Sequence, residues 1–234
     1  MPASKINLFN EKALHADLKA WVALPDDQIE APVDDFIIDI VRGALLIEIQ
    51  TCSFSSIKRK LQMLTVHHPV RLVYPIAREK WIVKLDRDEK THLSRRKSPK
   101  RGSIFELFAE LVSFPQLLVN PNFSLEVLFI REEELRRQDS RRGWRRKGWV
   151  THERRLLDVV ERKCFETPED MRLLLPEGLP SPFATSDLAK AIARPRRLAQ
   201  RMVYCLREMG LLARAGKRGN AVLYTIVPTT PVLP

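Results

Sequence analysis

Cysteine is scarce in this chain of 234 residues, limited to Cys52, Cys164 and Cys205. The three are odd in number and far apart, and none of their spacings suits a zinc ligand set, so a reduced, cytoplasmic protein is expected. Long apolar runs are missing as well. No stretch approaches the ~18 residues of a membrane span, and the first residues carry no signal-peptide hydrophobic region. No Gly-rich phosphate loop, nucleophile elbow or Cys/His cluster occurs, so nothing points to nucleotide hydrolysis. His67-His68, just before Pro69, reads as a loop pair. Acid is in short supply relative to base: 40 Lys and Arg face 29 Asp and Glu, for a net charge of +11 and a pI near 9.9. That balance favours a polyanionic partner and no membrane.

What is present begins with a buried-looking hairpin. Hydrophobic residues make up 44% of the chain, enough for one large domain or two modest ones. Residues 33–51 read as two apolar strands joined by a tight turn at Arg42-Gly43. Apolar residues occupy both parities, as in a sheet covered on both faces. Each strand nevertheless carries a carboxylate in its middle, Asp39 and Glu48. An unpaired buried carboxylate is costly. A turn at 42–43 sets Val41 opposite Ala44, Asp39 opposite Leu46 and Ile37 opposite Glu48. Asp39 and Glu48 are then diagonal neighbours on one face, roughly 7–8 Å apart at Cα, and could share a hard cation such as Mg²⁺ or Mn²⁺. The competing explanation is a buried ion pair with Lys58 or Lys60 of the next helix. Asp35 shares the parity of Asp39 and is a competing ligand.

Asp39 on one strand, followed by Glu48-Ile49-Gln50 on the next, resembles the signature of the PD-(D/E)XK nuclease superfamily, in particular its RecB-like and Holliday-junction-resolvase-like members. The resemblance implies a metal held by Asp39 and Glu48. It also implies that Gln50 stands where the family usually has Lys, a residue thought to position the attacking water. Glu-x-Gln variants occur among active members, and inactive, binding-only members also exist. The family often sets a Glu or His of its first helix toward the metal. Here residues 10–22 read as that helix, with Leu14, Leu18, Trp21 and Val22 at helical spacing and Glu11 and His15 as an i, i+4 pair. Helix, mixed sheet, helix, strand over residues 8–131 fits the superfamily's core.

The later elements expected are a helix at 55–65, strands at 70–76 and 81–85 broken by Pro75 and a polar turn, a basic loop at 87–102, a helix at 104–112 and a strand at 124–130. Residues 136–147 hold seven basic residues against Asp139 alone, and 87–101 hold seven against two acids. Trp144 and Trp149 interleave the first of these runs and suit either base stacking or a domain interface.

The second half changes character. Helices are expected at 186–193 and 196–209, with Pro195 at the start and Gly210 at the end of the second. A hairpin follows, made of residues 211–213, a basic turn at 214–220 and a strand at 221–227. A first helix falls at 151–164 or 168–175. The order resembles a winged helix-turn-helix. Arg194, Arg196, Arg197, Gln200 and Arg201 would then face DNA, with Lys217 and Arg218 at the wing tip and Arg145, Arg146 and Lys147 on the linker. A winged helix used for protein contacts is the alternative.

The expected class is therefore α/β: a restriction-endonuclease-like mixed sheet flanked by helices, followed by an α+β winged-helix domain. The expected boundaries are 1–135 for the nuclease-like domain, 136–150 for a basic linker and 151–234 for the winged helix. The pairing of the two is similar to an uncharacterised bacterial family. The leading function is metal-dependent hydrolysis of duplex or branched DNA, with a homodimer as an open possibility. The alternative is a catalytically inactive nuclease-like DNA-binding or transcriptional regulatory protein.

Overall fold

The computed structural model describes residues 13–86, 91–139 and 148–228. In chain order its elements are α1 (Ala13–Val22), β1 (Gln28–Val33), β2 (Phe36–Arg42), β3 (Leu45–Ile49), α2 (Lys58–Leu64), β4 (Val70–Leu85), β5 (His92–Lys97), α3 (Phe108–Leu111), β6 (Phe123–Gln138), β7 (Trp149–Phe165), α4 (Pro168–Arg172), β8 (Phe183–Ala184), α5 (Thr185–Ala191), α6 (Arg196–Glu208), β9 (Leu212–Arg218) and β10 (Ala221–Ile226). The protein is mixed α/β, with a large mixed sheet flanked by helices. Seven strands form that sheet in the order β1-β2-β3-β4-β6-β7, with β5 added to β4, and three more form a small sheet in the order β8-β10-β9.

The chain divides into two compact units, each assembled from three segments. The first is 1–51, 73–102 and 127–163; the second is 52–72, 103–126 and 164–234.

The first unit is built on α1 and the sheet. Leu14 and Leu18 of α1 pack on Ile40, Ile47, Ile49, Val73, Leu128 and Ile130. The turn between β2 and β3 falls at Gly43-Ala44, one residue later than expected. Gly43, with φ +56°, supplies the positive φ required at the first position of a type II′ hairpin turn. The register is therefore Arg42 with Leu45, Val41 with Leu46 and Ile40 with Ile47. It differs from the expected pairing by two residues, an even slip that keeps every side chain on its face.

Several expected breaks are continuous strand. Residues 70–85 form one strand through Pro75 and the polar 78–80, because those charges are paired across the sheet. Arg78 meets Glu161 at 2.6 Å, and Lys80 meets Glu132 and Glu134 at 2.8 and 3.0 Å. The described part of the expected basic loop contains β5. Arg95 and Lys97 on one face of β5 lie over the Trp81 ring and pair with Glu133 and Glu79. Residues 151–164, one of the two placements expected for a first helix, lie instead within strand β7, since their charges also match partners across the sheet.

A buried charge ladder runs across β4, β6 and β7. Glu132 is fully buried and Glu134 nearly so. Arg154 Nε donates to Glu132 Oε2 at 3.0 Å, while Arg136 Nε and the Thr151 hydroxyl donate to Glu134 Oε1 at 2.8 Å each. Burial pushes the Glu134 carboxyl up, but hydrogen bonds from Arg136, Lys80 and Thr151 outweigh it and hold the group down at about 2. A carboxyl lowered on folding contributes stability above its unfolded value near 4.5 and loses it as pH falls toward 2. Wild type should therefore lose its stability advantage over Glu134→Gln by roughly 2–3 kcal/mol between pH 6 and pH 2.5. Denaturant midpoints across that range measure this, and a pH-independent difference would contradict the ladder.

The second unit has its own aromatic core. Phe114 stacks on Phe54 at 5.2 Å between ring centroids and meets Phe123 edge-on at 6.0 Å. α6 packs against α5 and α3, and Gln116 Nε2 donates to Glu208 at 2.7 Å. Helices α5 and α6 follow the sequence expectation closely, with Gly210 at φ +78° just beyond α6. The basic 214–220 segment is mostly strand, and the hairpin turns only at Gly219-Asn220. Among the described residues no helix is long and apolar enough to cross a membrane.

Candidate functional site

Asp39 lies at a break in two ladders. Between β1 and β2, Ile29 pairs with Ile40 and Ala31 with Ile38, and the bridges pass over Glu30 and Asp39. Between β2 and β3 the last rung is Ile40 with Ile47. Continued by one residue, that register sets Asp39 level with Glu48. Side-chain carboxylates take up the main chain here. The Asp39 N–H points at Glu48 Oε1 at 3.4 Å, and the Ile49 N–H donates to Asp39 Oδ2 at 2.8 Å. Each strand's carboxylate thus serves a donor of the other strand.

α1 covers the break with residues one turn apart. His15 Nε2–H donates to Asp39 Oδ2 at 3.2 Å, and Lys19 Nζ donates to Glu30 Oε1 at 2.6 Å. Glu30 has φ +52°, a left-handed conformation that costs an ordinary residue about 1–2 kcal/mol. Strain of this kind is retained where surrounding contacts hold it, and such positions cluster at functional sites. The side chains of His15 and Asp39 keep 21% and 18% of their exposure, so solvent reaches the break, while Glu48 is buried.

The structure brings together His15, Asp39 and Glu48 from the expected set. Gln50 follows β3 directly and its N–H donates to Val73 O at 2.9 Å. Glu11 lies outside the described residues. Asp35, the competing ligand, is in the turn between β1 and β2. Lys58 and Lys60 belong to the second unit. Glu30, Lys19 and Arg154 were not foreseen. Arg154 Nη1 reaches Thr51 O at 3.4 Å, one residue past Gln50, while the rest of its guanidinium holds Glu132. A positive φ and a contact from a distant strand leave no periodic mark in sequence. Only the i, i+4 spacing of His15 and Lys19 was there to be read.

Among the described residues no three His, Cys, Asp or Glu side chains converge as a metal-binding group. Two opposed carboxylates still fit Mg²⁺ or Mn²⁺ by donor chemistry. Such hard cations are commonly held by one or two carboxylates, with water and substrate phosphate completing the shell.

The basic surface of the second unit is more selective than its charge suggests. Arg201 Nη1 donates inward to Ala109 O at 3.4 Å, and Arg218 pairs with Asp187 of α5 at 2.7 Å. The Arg194 Nε is buried. Arg196, Arg197, Gln200 and Lys217 remain exposed, and Arg196 and Gln200 line a cavity beside the hairpin. Arg145, Arg146, Lys147 and Trp144 lie outside the described residues. Lys84 Nζ sits 4.5 Å over the Trp149 ring.

No solved structure matches the chain. An uncharacterized protein of Treponema pallidum (strain Nichols) is 30% identical over 225 residues, covering 95% of this chain and 88% of the relative. Residues 12–166, which run from the start of α1 to the end of β7, match a family model described as a domain of unknown function (DUF8091), and the chain belongs to that family.

Proposed function

We propose that the protein is a metal-dependent nuclease acting on DNA. The observation that carries this reading is the meeting of Asp39 and Glu48 at a ladder break strapped by His15. A PD-(D/E)XK-type core needs its two acids on adjacent strands at such a point. Asp39 and Glu48 would hold a Mg²⁺ or Mn²⁺ ion, which supplies Lewis acidity toward the scissile phosphate. His15 orients the Asp39 carboxylate through its Nε2–H. The Gln50 amide is suited to hydrogen-bond a water beside Glu48. Glu11, four residues before His15 in the sequence and outside the described residues, is a further candidate.

The second unit supports delivery of the nucleic acid. The order α4, β8, α5, α6, β9, β10, with small-sheet order β8-β10-β9, supports a winged helix-turn-helix. In that fold the start of α6, with Arg196, Arg197 and Gln200, would read base edges, and Lys217 would contact phosphate.

A second reading is a catalytically inactive nuclease-like protein that binds or regulates DNA. It is favoured by Gln50, which brings no positive charge, and by the engagement of both carboxylates with main-chain donors. Cleavage decides between the two. Wild type and Asp39→Ala/Glu48→Ala are compared on linear, nicked, branched and single-stranded DNA with Mg²⁺ or Mn²⁺. Metal-dependent cleavage by wild type alone is the expected result. Tight DNA binding with no cleavage in either metal would replace the nuclease reading with the second.

A further inference from the structure

Within the second unit a cavity of about 240 Å³ opens between α6 and the β9–β10 hairpin. Arg196, Gln200, Tyr204 and Arg207 line it from α6, and Asn220 and Tyr224 from the hairpin. The four α6 residues recur at i, i+4, i+8 and i+11, so they share one helical face.

The lining has a definite chemistry. Among the described residues no carboxylate lines the cavity. Among the described residues neither Arg196 nor Arg207 has an acidic partner, although Arg218 nearby is held by Asp187. Two guanidiniums in a concave site without counter-charge suit an anion, and planar bidentate phosphate contact is the geometry that arginine favours. Tyr204 is 41% exposed and offers a ring to the site. Tyr224 is fixed against Phe183 at 6.2 Å between centroids. Gln200 and Asn220 each carry a donor and an acceptor, the pattern that reads the edge of a base. An aromatic surface, amide groups and a guanidinium at each end of the row, about 16 Å apart along the helix axis, suit a nucleotide. The volume lies below the ~300 Å³ where pockets for larger ligands begin, which suits one base rather than a base pair.

We propose that this cavity binds a single unpaired nucleotide, with its base against Tyr204, its edge at Gln200 and Asn220, and its phosphate at Arg207, one turn from Tyr204, while Arg196 at the far end of the row adds positive charge. The source is an unpaired position in a DNA strand or a free mononucleotide. The inference rests on the second unit's reading as a nucleic-acid reader, not on any phosphodiester chemistry in the first.

Calorimetric titration of the full chain tests it with a 5′-phosphorylated mononucleotide, a short single-stranded oligonucleotide and a blunt duplex. Tyr204 is exposed, so Tyr204→Ala should keep the thermal midpoint of wild type. It should weaken oligonucleotide binding roughly 5- to 100-fold, while Tyr204→Phe retains binding and blunt-duplex affinity stays unchanged. Mononucleotide binding that is equally sensitive to Tyr204→Ala would assign the site to free nucleotide. Binding of the oligonucleotide alone would assign it to strand DNA. Single-strand affinity indifferent to Tyr204→Ala, with duplex binding intact, overturns the cavity and leaves the proposed function standing. Duplex binding absent with the Tyr204-dependent site intact does the reverse.

Discussion

Glu48→Gln is expected to abolish metal-dependent DNA cleavage while leaving the fold nearly as stable as wild type. Glu48 Oε1 accepts from the Asp39 N–H at 3.4 Å, and a glutamine oxygen can accept the same bond. What changes is charge. A hydrogen bond to a charged group is worth roughly 1 kcal/mol more than a neutral one, so the folding cost should be about 1 kcal/mol. The catalytic cost is larger. A hard cation would lose one of two anionic donors, and Lewis-acid stabilisation of the transition state amounts to several kcal/mol. That corresponds to a loss on the order of 10³-fold in kcat/KM. Glu48→Ala separates the roles further. It removes the acceptor too and leaves the Asp39 N–H without it, at a cost of roughly 1–3 kcal/mol of stability, with no further loss of cleavage. Cleavage rates and denaturant midpoints for both variants give the two readouts. Near-wild-type cleavage by Glu48→Gln would make the carboxylate a structural substitute for ladder bonds, and the assignment of Glu48 as a metal ligand would fall with it.

The carboxylate pair was legible because a face, unlike a register, survives error. The turn sits one residue later than the sequence suggested, and the pairing slips by two. Since side chains alternate with period two, Asp39 and Glu48 stay on one side and move from diagonal to opposed. The small-sheet half was legible for a different reason. Pro195 and Gly210 mark the two ends of α6 by backbone chemistry alone, independent of any partner.

Strands stabilised by distant charges were not legible. Residues 149–165 carry Glu153, Arg154, Arg155, Asp158, Glu161, Arg162 and Lys163. In isolation that density of charge suits a solvated helix as well as a strand. What selects the strand is Glu132 beneath Arg154 and Arg78 opposite Glu161, and sequence spacing reveals neither. The polar residues 78–80 suit a turn in isolation for the same reason. Arg201 and Arg218 show the same limit in the second unit. Helical spacing and hairpin position point both outward, yet Ala109 O and Asp187 engage them within the unit.

That dependence on distant partners makes Glu132 the position where one substitution should cost the fold most. Its carboxylate is wholly buried, with Lys80 Nζ 2.8 Å from Oε1 and Arg154 Nε 3.0 Å from Oε2. Glu132→Leu keeps comparable bulk but withdraws the anion from between two cations. Lys80 retains Glu134 at 3.0 Å, whereas Arg154 retains only a longer contact to the Thr51 carbonyl among its described bonds. Breaking a buried ion pair from one side typically costs about 3–5 kcal/mol, and because the Lys80 and Arg154 side chains keep 28% and 30% of their exposure the loss here should be about 3 kcal/mol. That is a large share of the ~5–15 kcal/mol that holds a domain folded. Removing the cations together with the anion should reverse most of the loss. Lys80→Met/Glu132→Leu/Arg154→Leu is expected to lie within about 1–2 kcal/mol of wild type, since apolar side chains of similar volume replace such clusters at little cost. Urea midpoints of wild type, single and triple variants test the pair of statements. A single variant as stable as wild type would mean that water reaches the ladder, and a triple variant as unstable as the single would mean that packing, not charge, sets the cost. Because Arg154 also touches the carbonyl next to Gln50, the triple variant has a second use. If it folds and still cleaves, the charge ladder supports the sheet alone; if it folds but fails to cleave, Arg154 helps to position the segment that follows Glu48.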